Sequence, residues 1–201
     1  MSSIVLTGDT SGAITVSAPA VAGTNTITMP ASSGTLATTA DISASGKILQ
    51  VVSVEKIDTF STTSAMPTYA DITGLSATIT PSSSSSKILV TISVKVSNLT
   101  GYFSTQLKRQ IGGASFTIVH GGNGTYPSIG TAYARANVEF YLATMQQGGT
   151  FLDSPNTTSA VTFKVGAAAG GGTCYVNRTG YGVSASQPSC ASSITLMEVA
   201  G

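Results

Sequence analysis

Charge is scarce in this sequence. Only 8% of its 201 residues are Asp, Glu, Lys or Arg, against roughly 25% in an average soluble domain. Nine basic and eight acidic side chains leave a net charge of +1, so the basic field that nucleic-acid binding needs is missing. Lys108 and Arg109 form the one adjacent basic pair, which reads as a solvated strand end. Tryptophan is absent, histidine occurs once and cysteine twice. With a single imidazole and no C-x-x-C spacing, the usual zinc and redox motifs are excluded. No run of about 18 apolar residues is present to cross a bilayer as a helix. The opening "MSSIVLTGD" has neither the basic nor the apolar region of a secretory signal. Synthesis in a cytoplasm and no membrane insertion are therefore expected.

Catalytic patterns are equally thin. His120 is the sole candidate general base, no G-x-S-x-G elbow surrounds any serine, and the eight carboxylates form no D-x-D or paired-Glu motif. Two carboxylates brought together only by the fold would still make a glycosidase, so a glycan depolymerase stays open as an alternative. "GGNGTYP" (121–127) and "GAAAGGGT" (166–173) are glycine-rich but lack the G-K-[ST] ending of a phosphate loop. No catalytic residue, no metal site and no cofactor is expected. The four N-x-[ST] matches read as chance in a chain rich in Asn and Thr. Cys174 and Cys190 are expected as buried free thiols, with a cross-strand disulfide as the alternative.

What is present is strand material. Hydrophobic residues make up 41%, which excludes disorder from charge excess. Ser, Thr, Gly and Ala stand where Lys and Glu would normally sit, and they suit strands and turns better than long helices. Period-two patterns recur from residue 47 onward. "KILQVVSVEK" (47–56) is apolar enough for an inner strand. "KILVTISVKVS" (87–97) sets Ile88, Val90, Ile92, Val94 and Val96 on one face and Lys87, Thr91, Ser93 and Lys95 on the other. "LSATIT" (75–80) precedes Pro81 and the serine run 82–86, read as a turn. "YFSTQLKRQ" (102–110) and "SFTIVH" (115–120) flank Gly112 and Gly113, a hairpin signal. "ARANVEFYLATM" (134–145), "AVTFKVGA" (160–167), "TCYVNR" (173–178) and "SSITLMEVA" (192–200) complete the set. About eight strands over roughly 150 residues predict an all-β fold, an antiparallel jelly-roll-like sandwich.

The first forty residues are different. "AITVSAPA" (13–20) is echoed by "TITMPASS" (26–33), with Asp9 the only charge and no aromatic ring. So light a segment supplies too little apolar area to offset the entropy of ordering it, and pairing between copies of the chain is the economical solution. The organisation expected is a β-structured attachment and trimerisation segment (1–40), a joint (41–46) and a knob (47–201).

Two loops carry the binding candidates. "HGGNGTYPSIGTAYAR" (120–135) holds His120, Asn123, Tyr126, Tyr133 and Arg135, and "NRTGYGVSASQPS" (177–189) holds Arg178 and Tyr181. Aromatic faces beside amides and hydroxyls suit sugar recognition, and they suit packing against neighbouring subunits equally well.

"GDTSGAITVSAPAVAGTNTITMPASSGTLAT" (8–38) resembles a module of tail-fibre and related virion proteins of tailed bacteriophages, marine and cyanobacterial types included. "FLDSPNTTSAVTFKV" (151–165), "CYVNR" (174–178) and "ASSITLMEV" (191–199) resemble the distal knob of such fibres. The resemblance implies a non-enzymatic homotrimeric fibre or spike in the virion. It implies residues 1–40 docked on other virion proteins and a knob available to host surface polysaccharide. A capsid or tail decoration protein without receptor binding is the alternative.

Overall fold

A computed structural model describes residues 3–7, 10–17, 21, 23–24, 31, 46–98, 100–122, 124–134, 144–180 and 189–201. By internal contacts the chain divides into two units, Met1–Asp41 and Ile42–Gly201. The described strands are β1 (Ser3–Thr7), β2 (Ala13–Ser17), β3 (Ile48–Lys56), β4 (Phe60–Thr62), β5 (Ala70–Ile79), β6 (Lys87–Asn98), β7 (Gly101–Ile111), β8 (Thr117–His120), β9 (Gly130–Ala134), β10 (Met145–Asp153), β11 (Val161–Ala169), β12 (Cys174–Val176) and β13 (Ser192–Val199). The protein is all-β, as the small-residue, period-two sequence predicts.

In the first unit β1 and β2 pair antiparallel from Ser3↔Ser17 to Thr7↔Ala13. Ile4, Val5, Leu6 and Val16 are 67, 55, 59 and 56% exposed. Successive strand residues point to opposite faces, so the hairpin shows apolar side chains on both. Among the described residues, none of its large apolar side chains is buried within one chain. The second Pro-ended repeat of the sequence, "TITMPASS", lies largely outside the described residues.

The second unit is a sandwich of two antiparallel sheets. One runs β3-β13-β6, with β10 on the far edge of β6. The short β12 also pairs with β6, at Val96–Asn98, and carries β4 beyond it. The other sheet runs β5-β11-β7, with β8 and β9 sharing the outer edge of β7. Successive long strands alternate between the sheets, giving the orders β3-β13-β6-β10 and β5-β11-β7-β8/β9. That alternation is the jelly-roll topology.

The core lies where the inward faces meet. Ile88, Val90, Val94 and Val96 of β6 pack with Ile194 and Leu196 of β13 and with Leu75, Ile79, Phe103, Leu107, Phe163 and Val165 of the opposite sheet. The alternation read in "KILVTISVKVS" is met residue by residue. Gly112 and Gly113 both have positive φ, 55° and 84°, which is the backbone that a tight hairpin between twisted strands requires. The serine run does turn, and it also has a second task. Ser82 donates from its backbone N–H and its hydroxyl, both at 2.7 Å, to the fully buried carboxylate of Glu198. Gln50 donates to the same carboxylate at 2.6 Å.

Two strand expectations change. Among the described strands the segment 47–56 is not an inner one: β3 ends its sheet and pairs with β13. It reads as apolar on both faces because Val51 continues an outward apolar row. Val51 lies opposite Met197, Met197 opposite Leu89, and Leu89 opposite Leu152. The strand expected at 134–145 falls mostly on residues outside the description, and β10 begins at Met145. Chain entry and exit lie together, since Gly46 N–H bonds Ala200 C=O at 2.9 Å and Ala200 N–H bonds Lys47 C=O at 2.8 Å.

Candidate functional site

The sandwich opens at one side, where the edge strands β8 and β9 of one sheet face the edge strand β10 of the other. His120 ends β8, and its ring stacks on Phe151 of β10, with centroids 4.7 Å apart and planes 28° apart. Just inside, Arg109 Nη1 grips both carboxylate oxygens of Asp153 at 2.7 and 2.8 Å. Two ring faces and one ion pair therefore tie the sheets together at this mouth.

Between β8 and β9 the chain makes an excursion, residues 121–129. It leaves beside Leu107, the partner of His120, and returns beside Thr105, the partner of Gly130. The skipped residue is Gln106, whose amide donates to Pro127 C=O at 3.0 Å. Ile129 N–H bonds Thr105 C=O at 2.8 Å. The neck is tight: a Cβ on Gly121 would lie 2.8 Å from the Ser128 nitrogen. Only glycine lets the two limbs approach so closely.

The stacked pair and the excursion bound a cleft of about 450 Å3, lined by Ile118, Val119, His120, Gly121, Pro127 and Phe151. A second cleft of about 250 Å3 follows along β10, lined on one side by Ile129, Gly130 and Thr131 and on the other by residues 145–148. Thr105 donates to the buried Gln147 amide oxygen at 2.8 Å beneath it. Rings, amides and hydroxyls with few charges are the lining that orients a polar but uncharged ligand.

Of the sequence-predicted residues, four are described: His120, Tyr126, Tyr133 and Arg178. His120 lies in the first cleft. Tyr126 sits on the excursion, half exposed at 50%. Tyr133 belongs to strand β9, opposite Tyr102, so the described residues between 120 and 134 are a strand end, an excursion and a strand rather than one loop. The reason is backbone pairing along the first half of β7, which glycine-rich composition conceals. Asn123, Arg135 and Tyr181 lie outside the described residues.

Arg178 is elsewhere, 4.0 Å from the centroid of the Tyr175 ring. Tyr175 pairs with Ser97, whereas Phe151 pairs with Val90; at about 3.3 Å per residue that offset along β6 is roughly 23 Å. Residues 177–180, the described start of the second predicted loop, are mostly buried. Asn177 is fully buried with φ 60°. Its amide donates to the carbonyls of Lys56 and Asp58 at 2.7 and 3.0 Å, and its oxygen accepts from Ser192 Oγ at 2.6 Å. That burial removes Asn177 from the sequon list. Phe151, the partner of His120, escapes a period-two reading because Gln147 and Gly149 occupy the same face of β10.

Electrostatics elsewhere are structural. Burial pushes the Asp71 carboxyl up, but hydrogen bonds from Lys108 and Lys164 outweigh it and hold the group below the usual carboxylate range. Lys164 also sits over the Phe116 ring, 3.6 Å from its centroid. The hydrogen bond from Lys56 lowers the exposed Asp58. Cys174 and Cys190 are both free, and burial pushes the Cys174 thiol up to about 12. Among the described residues, no group of His, Cys, Asp and Glu is placed to hold a metal ion.

No protein-family model matches this sequence, and no curated protein matches it. Among solved structures, the chain is similar to the infectious bursal disease virus VP2 subviral particle, at TM-score 0.41 and 10% identity over 78% of this chain and 34% of that one. It is also similar to the structure of the Gx strain of that virus, at TM-score 0.40 and 12% identity over 98% and 41% of the two chains. For the Gt strain the values are 0.35, 13%, 97% and 46%. The chain thus spans between a third and a half of the length of these structures, and likeness at this level bears on neither function nor assembly.

Proposed function

We propose that the chain is a non-enzymatic bacteriophage virion protein, a fibre or spike. Its N-terminal unit joins three copies and docks them on other virion proteins, while the jelly-roll unit holds host-cell surface polysaccharide. The observation that carries the reading is the β1–β2 hairpin. Ile4, Val5 and Leu6 stand exposed on alternate faces of a two-stranded ribbon, and such a ribbon is not stable alone in water. Packing between identical chains buries both faces at once.

The glycan part is supported by the stacked His120–Phe151 pair and the clefts beside it. Weak sites repeated around a trimer gain avidity from effective concentration. Among the described residues, neither cleft is lined by a carboxylate. The described acids with lowered pKa, Asp58, Asp71 and Glu198, are biased toward the ionised form, which is the wrong direction for a glycosidase general acid. Light scattering on the intact chain tests the assembly: a trimer is expected, and a monodisperse folded monomer overturns it. Incubation with host polysaccharide tests the chemistry, because released fragments would make the protein a depolymerase.

One observation favours a second reading, a capsid or tail decoration protein. The outward row Val51–Met197–Leu89–Leu152 crosses four strands in register, and Val51 and Leu152 are about half exposed in the single chain. An apolar row of this kind suits cover by a neighbour. Cryo-EM of virions separates the two, since a jelly roll enclosed by other chains has no surface for a receptor.

A further inference from the structure

We propose that the two clefts at the sandwich mouth are one trough, and that it takes an uncharged linear polysaccharide lying along β10 rather than a terminal sugar unit. This rests on the glycan reading above and narrows it to a ligand class and a direction.

The floor is a single face of β10. Gln147 reaches inward to Thr105, and Phe151 reaches inward to His120. Gly149 lies between them on the same face by strand parity. A Cβ built at Gly149 meets nothing within 4 Å. The position leaves open space between Phe151, which lines the first cleft, and Gln147, which lines the second. Its neighbour Gly148, with φ 152°, has no room for a side chain, since a Cβ there would lie 1.9 Å from Ile92 O. From Phe151 to Gln147 the floor runs roughly 13 Å at about 3.3 Å per residue, more than one pyranose ring can occupy.

The lining sets the ligand class. One end offers the stacked His120–Phe151 rings and Pro127, an apolar platform for a sugar face. The other offers the Thr131 hydroxyl and the Gln146 and Gln147 amides. Among the described residues, no Asp, Glu, Lys or Arg lines either cleft, and Lys95 is engaged by the Gln146 amide oxygen. An ionic polymer would lose hydration here without a counter-charge; a neutral one meets matching groups. The rim is pre-organised by the pinch at Gly121 and the Gln106–Pro127 bond, which limits the ordering cost of binding.

The test is an array of neutral bacterial surface polysaccharides and their size-fractionated fragments, from monosaccharide to octasaccharide, probed with the intact chain. Wild type is expected to bind with affinity that rises through the tri- and tetrasaccharide. Gly149→Trp, filling the trough in open space with no positive-φ strain, is expected to lose tenfold or more at tetrasaccharide length while unfolding at an unchanged temperature. Gly149→Ala is expected to stay within twofold. Should the Trp variant fold poorly, Thr131→Ala is expected to flatten the length dependence instead. Affinity already complete at the monosaccharide, or binding indifferent to both Gly149→Trp and Thr131→Ala, overturns the trough while leaving glycan binding intact. Wild type that binds no glycan overturns the glycan reading itself.

Discussion

Acid should reach this fold through Glu198. Its carboxylate is fully buried and is held by Gln50 Nε2, Ser82 N–H and Ser82 Oγ, with no cation among these partners. Burial pushes its pKa up, but these hydrogen bonds outweigh it and take the value from the ordinary 4.5 to about 2. A group that titrates lower in the folded chain than in the unfolded one stabilises the fold above the unfolded value. That stabilisation is complete above about pH 4.5 and disappears as pH falls through about 2. At about 1.4 kcal/mol per pH unit the contribution is about 3 kcal/mol. In Glu198→Gln the amide sets an N–H against the donors of Gln50 or Ser82, and an unpaired buried donor costs about 1–3 kcal/mol. The assay is urea unfolding of the full chain, wild type and variant, at pH 6, 4, 3 and 2. With a slope of about 1–3 kcal/mol per molar, the wild-type midpoint should exceed the variant's by about 1 M or more at pH 6. The gap should narrow steadily below pH 4 and be mostly gone at pH 2. A gap that stays constant from pH 6 to 2 would refute the reasoning, because the carboxylate charge would then contribute nothing.

Other outcomes follow from the same geometry. Phe163→Ala, at a fully buried core position, should cost about 3–5 kcal/mol and lower the melting temperature by roughly 6–20 °C. Asn177→Ala strands the Lys56 and Asp58 carbonyls, and a loss of about 2–3 kcal/mol is expected in urea titration; a neutral result would mean that water replaces the amide. Arg109→Ala leaves Asp153, almost fully buried, without its bidentate partner, and about 3 kcal/mol should be lost, most of it recovered in Arg109→Ala/Asp153→Asn. A thiol reagent at pH 8 should label Cys190 quickly and Cys174 only after denaturant is added, since burial keeps the Cys174 thiol protonated.

Much of the fold was readable because the inward faces of β6, β11 and β13 are built from large apolar residues at strict spacing two, which local patterning reports directly. What could not be read is what depends on partners in other strands. Val51 looks like core in "KILQVVSVEK", and only the register with Met197, Leu89 and Leu152 shows it to face outward. Asn177 looks like a loop residue, and only distant carbonyls make it a buried bracket. The site was half legible. His120 and Tyr126 stood out by type, but Phe151 is singled out only by the crossing from β8 to β10, and Gly149 matters for the side chain it lacks. Arg178 was grouped with them by chemistry, and the offset along β6 separates it.

The hydrogen bonds between Gly46, Lys47 and Ala200 have a topological consequence. With Gly46 and Ala200 bonded side by side, the jelly-roll unit is nearly a closed ring. A short link from Ala200 to Gly46 with new ends opened between Gly112 and Gly113 should reproduce the same sandwich, since circular permutation succeeds where termini adjoin and the cut falls in an exposed turn. The place where this unit is tethered is then a separable choice. The N-terminal segment could be grafted onto another exposed turn without a change in any residue of the mouth at β10.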